Sequence, residues 1–157
     1  MLVPAATFKH EGHCDDADCE DVGEALSTAD ADDCDDTDAM IECLGALGVG
    51  VEQHSDMTIV SGPMDFGTST VTLNPRMSGA STRLLIALAA LRTGATRIDG
   101  HASLRVRTNV PLFDVLRQHG CAVDSDAGTL PATIHGSLNV QGALHIDGSL
   151  SSQYITA

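Results

Sequence analysis

The sequence predicts an α+β chain assembled from repeated strand-and-helix units. Three observations lead there. Segments with a 3.6-residue apolar period end at glycine and run into short alternating stretches, and this order of elements returns after about 70 residues. The core has to be aliphatic, because 157 residues hold one Tyr, three Phe and no Trp. At this length roughly 70% of the unfolded surface can be buried, about one domain's worth.

Taken in order, residues 1–33 show no sustained period. The Asp-dense run ADADDCDDT (30–38) suits a solvated loop, so 1–33 is read as an acidic, unstructured leader and 34–157 as the domain. Asp35, Asp36 or Thr37 can cap a helix through Met40, Ile41, Leu44 and Leu47, which Gly48 stops. Val49 and Val51 alternate as a strand, and Thr58 to Ser61 reads as another. The pattern returns with a helix over Pro111 to His119, a stop at Gly120, alternation at Cys121 and Val123, and a strand over Ala132 to His135. Leu44 and Gly48 lie 72 residues before Leu116 and Gly120, and Gly62 lies 74 before Gly136. The strand Val71 to Leu73 matches Leu144 to Ile146, and each leads into a hydroxyl-rich helix start, Ser78 to Thr82 and Ser149 to Ser152. The helix Ser81 to Leu91 is apolar on nearly every face, so it is expected to be central and buried.

Charge is unevenly placed. Residues 1–42 hold 14 of the 22 acids and one base, Lys9, while all seven Arg fall between Arg76 and Arg117. An acidic arm on a nearly neutral domain excludes nucleic acid as a partner, since phosphates would be repelled and the aromatics needed for base stacking are missing. A membrane span is excluded because the longest apolar run, Leu84 to Leu91, is eight residues and a span needs about 20. No export signal is expected in Met1 to Gly12, so a cytoplasmic, reduced chain with free cysteines is expected.

The candidate chemistry is anion binding. A helix start presents unpaired N–H groups and the positive end of a dipole, and here two such starts are hydroxyl-rich. Between them lies Arg105-Val106-Arg107, which at strand spacing would put both guanidinium groups on one face to grip a phosphate or carboxylate. His10, His13, Cys14 and Cys19 cluster in the arm, but their spacing fits zinc only loosely. His101, His119 and His135 stand alone, Cys121 is expected in the core, and no nucleophile–base arrangement is present.

The blocks SGASTRLL (78–85), DGHASLRVR (99–107), PLFDVLRQHGCAV (111–123) and DGSLSSQYITA (147–157), with the Asp35 to Val51 segment, resemble the 5-enolpyruvylshikimate-3-phosphate synthase family, the 3-phosphoshikimate 1-carboxyvinyltransferases. The resemblance implies β-α-β-α-β-β units with buried parallel helices, three to a domain, of which about two are present. It implies transfer of enolpyruvyl from phosphoenolpyruvate to shikimate 3-phosphate, on the route to chorismate and the aromatic amino acids, with no metal or organic cofactor. Ser151, Ser152 and Gln153 would hold shikimate 3-phosphate; Gly79, Arg107 and Gln153 would hold phosphoenolpyruvate. The family's Lys-Ser-x-Ser-x-Arg opening has no match between Met1 and Ala31, Met77 replaces a common Asn, and Thr108 replaces a common Pro. No catalytic group is expected in this chain: the acid–base groups belong to the family's C-terminal domain, so the chain is read as an N-terminal-domain fragment, inactive alone. The alternatives are the sister family acting on UDP-N-acetylglucosamine, whose loop cysteine is missing from Gly100 to Arg107, and a non-catalytic assembly module with an exposed apolar face.

Overall fold

The computed structural model describes residues 6–9, 28–54 and 57–157. The chain divides into two compact units, Met1–Asp65 and Phe66–Ala157. No helix among the described residues is long and apolar enough to cross a membrane.

The first unit contains β1 (Ala6–Lys9), α1 (Thr28–Ala46), β2 (Gly50–Gln53) and β3 (Met57–Ser61), with an antiparallel sheet in the order β1-β3-β2. Strand β1 and the first turns of α1 fall inside the segment read from sequence as an unstructured leader, so the Asp-dense run is helical rather than a loop. Negative charge near a helix N-terminus is favoured by the macrodipole, and no β-branched residue lies between Ala29 and Asp36 to oppose the helix. The buried line of α1 is Ala39 and Cys43, continued by Leu47 in the turn just past its end, at spacing i, i+4, i+8. Met40, Ile41 and Leu44, expected as the apolar stripe, are half-buried beside it. Gly48 ends the helix at φ +83, a left-handed turn that glycine adopts without steric cost.

The second unit runs β4 (Val71–Leu73), α2 (Gly79–Ala90), β5 (Ala95–Ile98), α3 (Ala102–Arg105), α4 (Val110–Gln118), β6 (Ala122–Ser125), β7 (Ala132–His135) and α5 (Gln153–Thr156). Apart from the single turn α3, residues 71–135 make one complete β-α-β-α-β-β unit. Its sheet has the order β4-β5-β7-β6, with β4 and β5 parallel and the other neighbours antiparallel. The inward residues of the strands, among them Leu73, Thr96, Ile98, Ala132 and Ile134, meet Leu85, Ile86 and Ala89 of α2 and Phe113 and Leu116 of α4 in one aliphatic core.

The repeat is visible in the pairing itself. Val51 opposes Val60 across β2 and β3, and their equivalents Val123 and Ile134 oppose each other across β6 and β7. Gly120 stops α4 at φ +97, as Gly48 stops α1. Three expectations differ from what is found. Leu144 to Ile146 is not a strand: β4 is held by a parallel neighbour, β5, whereas no strand among the described residues runs beside 144–146. Helix α2 is covered on one side only within its unit, by β5, β7, α4 and α5, leaving Leu84 37% and Leu91 46% exposed. The Arg105-Val106-Arg107 stretch is not a strand either. His101 caps a single helical turn there, its Nδ1 accepting from the Ser103 N–H at 3.3 Å.

Candidate functional site

The candidate site is built on the start of α2. Ser78 is 3% exposed, and its Oγ accepts from the Ser81 N–H at 3.3 Å. The Thr82 hydroxyl donates to the Ser78 carbonyl at 2.7 Å. Buried Ser78 and Thr82 are thus spent on holding the helix rather than offering hydroxyls to a ligand, as the hydroxyl-rich pattern suggested. The first N–H groups of the helix, at Gly79 and Ala80, have no intrahelical acceptor and carry the positive end of the dipole.

Arg107 reaches this start. A Cβ built on Gly79 would lie 2.7 Å from Arg107 Nη1, so only glycine lets the guanidinium lie this close to the helix backbone. The approach depends on the short turn α3. Leu104 is buried at 2% exposure, and its carbonyl accepts from the Arg107 N–H at 3.0 Å. Arg105, at the end of that turn, forks onto Asp99, with Nε to Oδ1 at 2.9 Å and Nη2 to Oδ2 at 3.0 Å. Burial alone would raise the Asp99 carboxyl; the Arg105 hydrogen bond, the Gly100 N–H and the charges of Arg105 and Arg97 outweigh it and hold the pKa below its ordinary value. The two arginines expected to share one face therefore separate. Arg105 is neutralised by Asp99, and Arg107 alone turns to α2.

A second arginine, missed in the sequence reading, comes from α2 itself. Arg83 Nη1 donates to Ser151 Oγ at 3.0 Å and also to Gln153 Oε1. Its guanidinium lies 4.6 Å from the Tyr154 ring centroid, and the Tyr154 hydroxyl donates to the Thr108 carbonyl at 2.6 Å. The signal was present in SGASTRLL: Arg83 follows Gly79 by four residues, one helical turn along the same face. Gly79, Arg107, Ser151 and Gln153 are thus gathered around the first turns of α2. Ser152 is exposed at the N-cap of α5 and makes no side-chain capping bond. Since α5 is one turn long, the second dipole end foreseen from sequence is weak, and the anion-receptive field centres on α2.

The remaining arginines have other duties. Arg92 is fully buried, donating to Thr96 Oγ1 at 2.9 Å and to the Ser69 carbonyl at 3.0 Å. Arg117 reaches Asp114 at 3.3 Å and the Val123 carbonyl at 3.0 Å. Arg83 and Arg107, by contrast, have no carboxylate partner among the described residues. Cys121 is buried as expected, and burial pushes its thiol pKa up. His135 lies 3.6 Å from Asp124, away from this site, and His101 serves as the α3 cap. His10, His13, Cys14 and Cys19 lie outside the described residues, and no cluster able to hold a metal occurs among the described ones.

Fold and site together define a mixed αβ module with a helix start equipped to receive an anion. The EPSP synthase (3-phosphoshikimate 1-carboxyvinyltransferase) family model matches residues 24–157, beginning inside the segment read as a leader. The chain belongs to this family. A 3-phosphoshikimate 1-carboxyvinyltransferase of Rhizobium leguminosarum is 36% identical over 125 residues, covering 78% of this chain and 30% of the relative. One from Methanocorpusculum labreanum is 37% identical over 127 residues, covering 78% and 29%. The chain therefore spans about 30% of the length of the curated relatives it matches. A solved EPSP synthase from Acinetobacter baumannii superposes with a TM-score of 0.56 over 69% of this chain and 26% of that one, at 24% identity, which shows a shared fold.

Proposed function

We propose that the chain carries a substrate-holding half-site of 3-phosphoshikimate 1-carboxyvinyltransferase, the transferase that moves enolpyruvyl from phosphoenolpyruvate to shikimate 3-phosphate in aromatic amino-acid biosynthesis. One observation supports this most: two guanidinium groups, Arg83 and Arg107, without a carboxylate partner among the described residues, stand at an open helix start beside Ser151 and Gln153. Gly79, Arg107 and Gln153 would receive phosphoenolpyruvate, whose carboxylate and phosphate suit a guanidinium fork and backbone N–H groups. Ser151, Ser152 and Gln153 would receive the phosphate of shikimate 3-phosphate.

Neither Ser, Gln nor Arg exchanges a proton readily near neutral pH, so these residues bind and orient without supplying acid–base catalysis. The catalytic groups would come from the part of the family architecture that lies beyond the matched region. The 157 residues alone are therefore proposed to bind substrate without turnover. The buried thiol Cys121, outside any disulfide, suits a reducing compartment, and the cytoplasm is the proposed location.

Calorimetry with shikimate 3-phosphate and with phosphoenolpyruvate tests the half-site. Binding that is weakened in both Arg107→Ala and Ser152→Ala is the expected result. Absence of binding by the folded wild-type chain refutes it, and release of phosphate from the two substrates would refute the proposal that the chain binds without turnover.

A further inference from the structure

The Ser151 hydroxyl and the Gln153 amide can each give or take a hydrogen bond, whereas a fully ionised phosphate or carboxylate can only accept. Something must set the sense in which these two groups point. Arg83 is donor-only, and its Nη1 meets Ser151 Oγ and Gln153 Oε1 together. The Gln153 backbone N–H donates to the same Ser151 oxygen at 3.3 Å. With both lone pairs of that oxygen engaged, the hydroxyl proton of Ser151 is left to face an outside acceptor. For Gln153, only the oxygen end of the amide can meet a guanidinium, so its NH2 is turned away from Arg83. The guanidinium is itself held in place, over the Tyr154 ring at 4.6 Å, and no carboxylate competes for it among the described residues.

We infer that Arg83 is a positioning residue that sets the hydrogen-bond polarity of this wall, presenting the Ser151 O–H and the Gln153 NH2 outward as paired donors for an anionic ligand. The inference rests on the proposed reading that Ser151 and Gln153 face substrate. It differs from direct ligation: Arg83 spends its donors on protein, and its effect on a ligand passes through the two neighbours.

The test uses the full 157-residue chain, with shikimate 3-phosphate as probe and the Gln153 side-chain amide followed by nitrogen-edited NMR. In Arg83→Met the two amide proton signals of Gln153 should shift and lose protection from exchange, and binding should weaken about tenfold to a hundredfold. Arg83→Lys, which keeps a donor, should recover part of the loss. The double variant Arg83→Met/Gln153→Ala should bind no more than about twofold weaker than the weaker single variant, because the two residues act as one unit. Gln153→Glu retains an acceptor for Arg83 and should stay folded, yet it should lose binding because the outward donor is gone; this variant keeps the inference testable if Arg83→Met unfolds. Tyr154, the sole tyrosine, reports by its fluorescence whether the segment stays docked.

Losses that multiply in the double variant would make Arg83 a direct contact and overturn the inference. So would unchanged Gln153 amide signals in Arg83→Met, or undiminished binding by Gln153→Glu. A folded wild type that fails to bind shikimate 3-phosphate would instead remove the half-site reading, and the amide comparison would then still decide the positioning role by itself.

Discussion

Replacing Gly79 by Ala separates the stability of the helix start from its capacity for anions. The new Cβ would stand 2.7 Å from Arg107 Nη1, where ordinary contact begins at 3.4 Å. The guanidinium tip must therefore retreat by about 0.7 Å, and as the far end of a flexible side chain it can do so with little strain on the fold. Folding should not suffer: alanine is a better helix residue than glycine by up to ~1 kcal/mol, and it also restricts the unfolded chain. Binding should suffer, because a charge-assisted hydrogen bond is worth about 1.5–3 kcal/mol and depends on geometry. The expectation is phosphoenolpyruvate affinity lowered about tenfold or more, with a melting temperature unchanged or slightly raised. Calorimetry and thermal melting measured on the same sample check both halves. Unchanged affinity in the folded variant would show that the approach of Arg107 to Gly79 has no part in anion binding, and a melting temperature lowered by many degrees would show that the glycine serves the fold instead.

Three further perturbations have defined outcomes. Arg92→Met keeps the apolar stem but strips the donors from buried Thr96 and from Ser69, so urea unfolding should show a loss of about 2–4 kcal/mol; a change within about 0.5 kcal/mol would contradict the structural role, at the level expected of surface substitutions. Asp99 has a folded pKa below its ordinary 3.8, so its contribution to stability is full above that value and is lost as pH falls through the lowered one. The stability gap between wild type and Asp99→Asn, measured by denaturant titration, should be widest near neutrality and close in acid; a gap independent of pH would count against the ion pair. Tyr154→Phe removes the 2.6 Å bond to the Thr108 carbonyl and should cost about 0.5–1.5 kcal/mol in the same assay, while the ring under Arg83 remains.

Legibility from sequence followed the range of the interactions. Strands Val71–Leu73 and Ala132–His135 were readable to the residue, and the stops at Gly48 and Gly120 followed from a turn that glycine alone enters cheaply. The Asp-dense start of α1 reads as a loop by composition, yet it is helical, in line with the charge–dipole term that favours acids at a helix start. Arg105-Val106-Arg107 reads as a strand in the sequence because three residues cannot distinguish a strand from one helical turn. The His101 cap, two residues from Ser103, and the Asp99 fork, six residues from Arg105, settle it.

Alternation and helical period are local, and the 72-residue echo is a comparison of residue order, so the chain's order by itself determined the mixed αβ class, the repeating unit and the glycine-opened helix start. Helical spacing ties Arg83 to that start, but that Arg107 joins it and Arg105 does not was decided by tertiary packing. Arg83, Arg92, Arg105 and Arg107 are chemically equal as side chains, and they part company only when the fold brings each its own neighbours, up to 70 positions away in the chain. A long, flexible cation takes whichever partner the fold brings within reach, and that partner is a property of the closed chain.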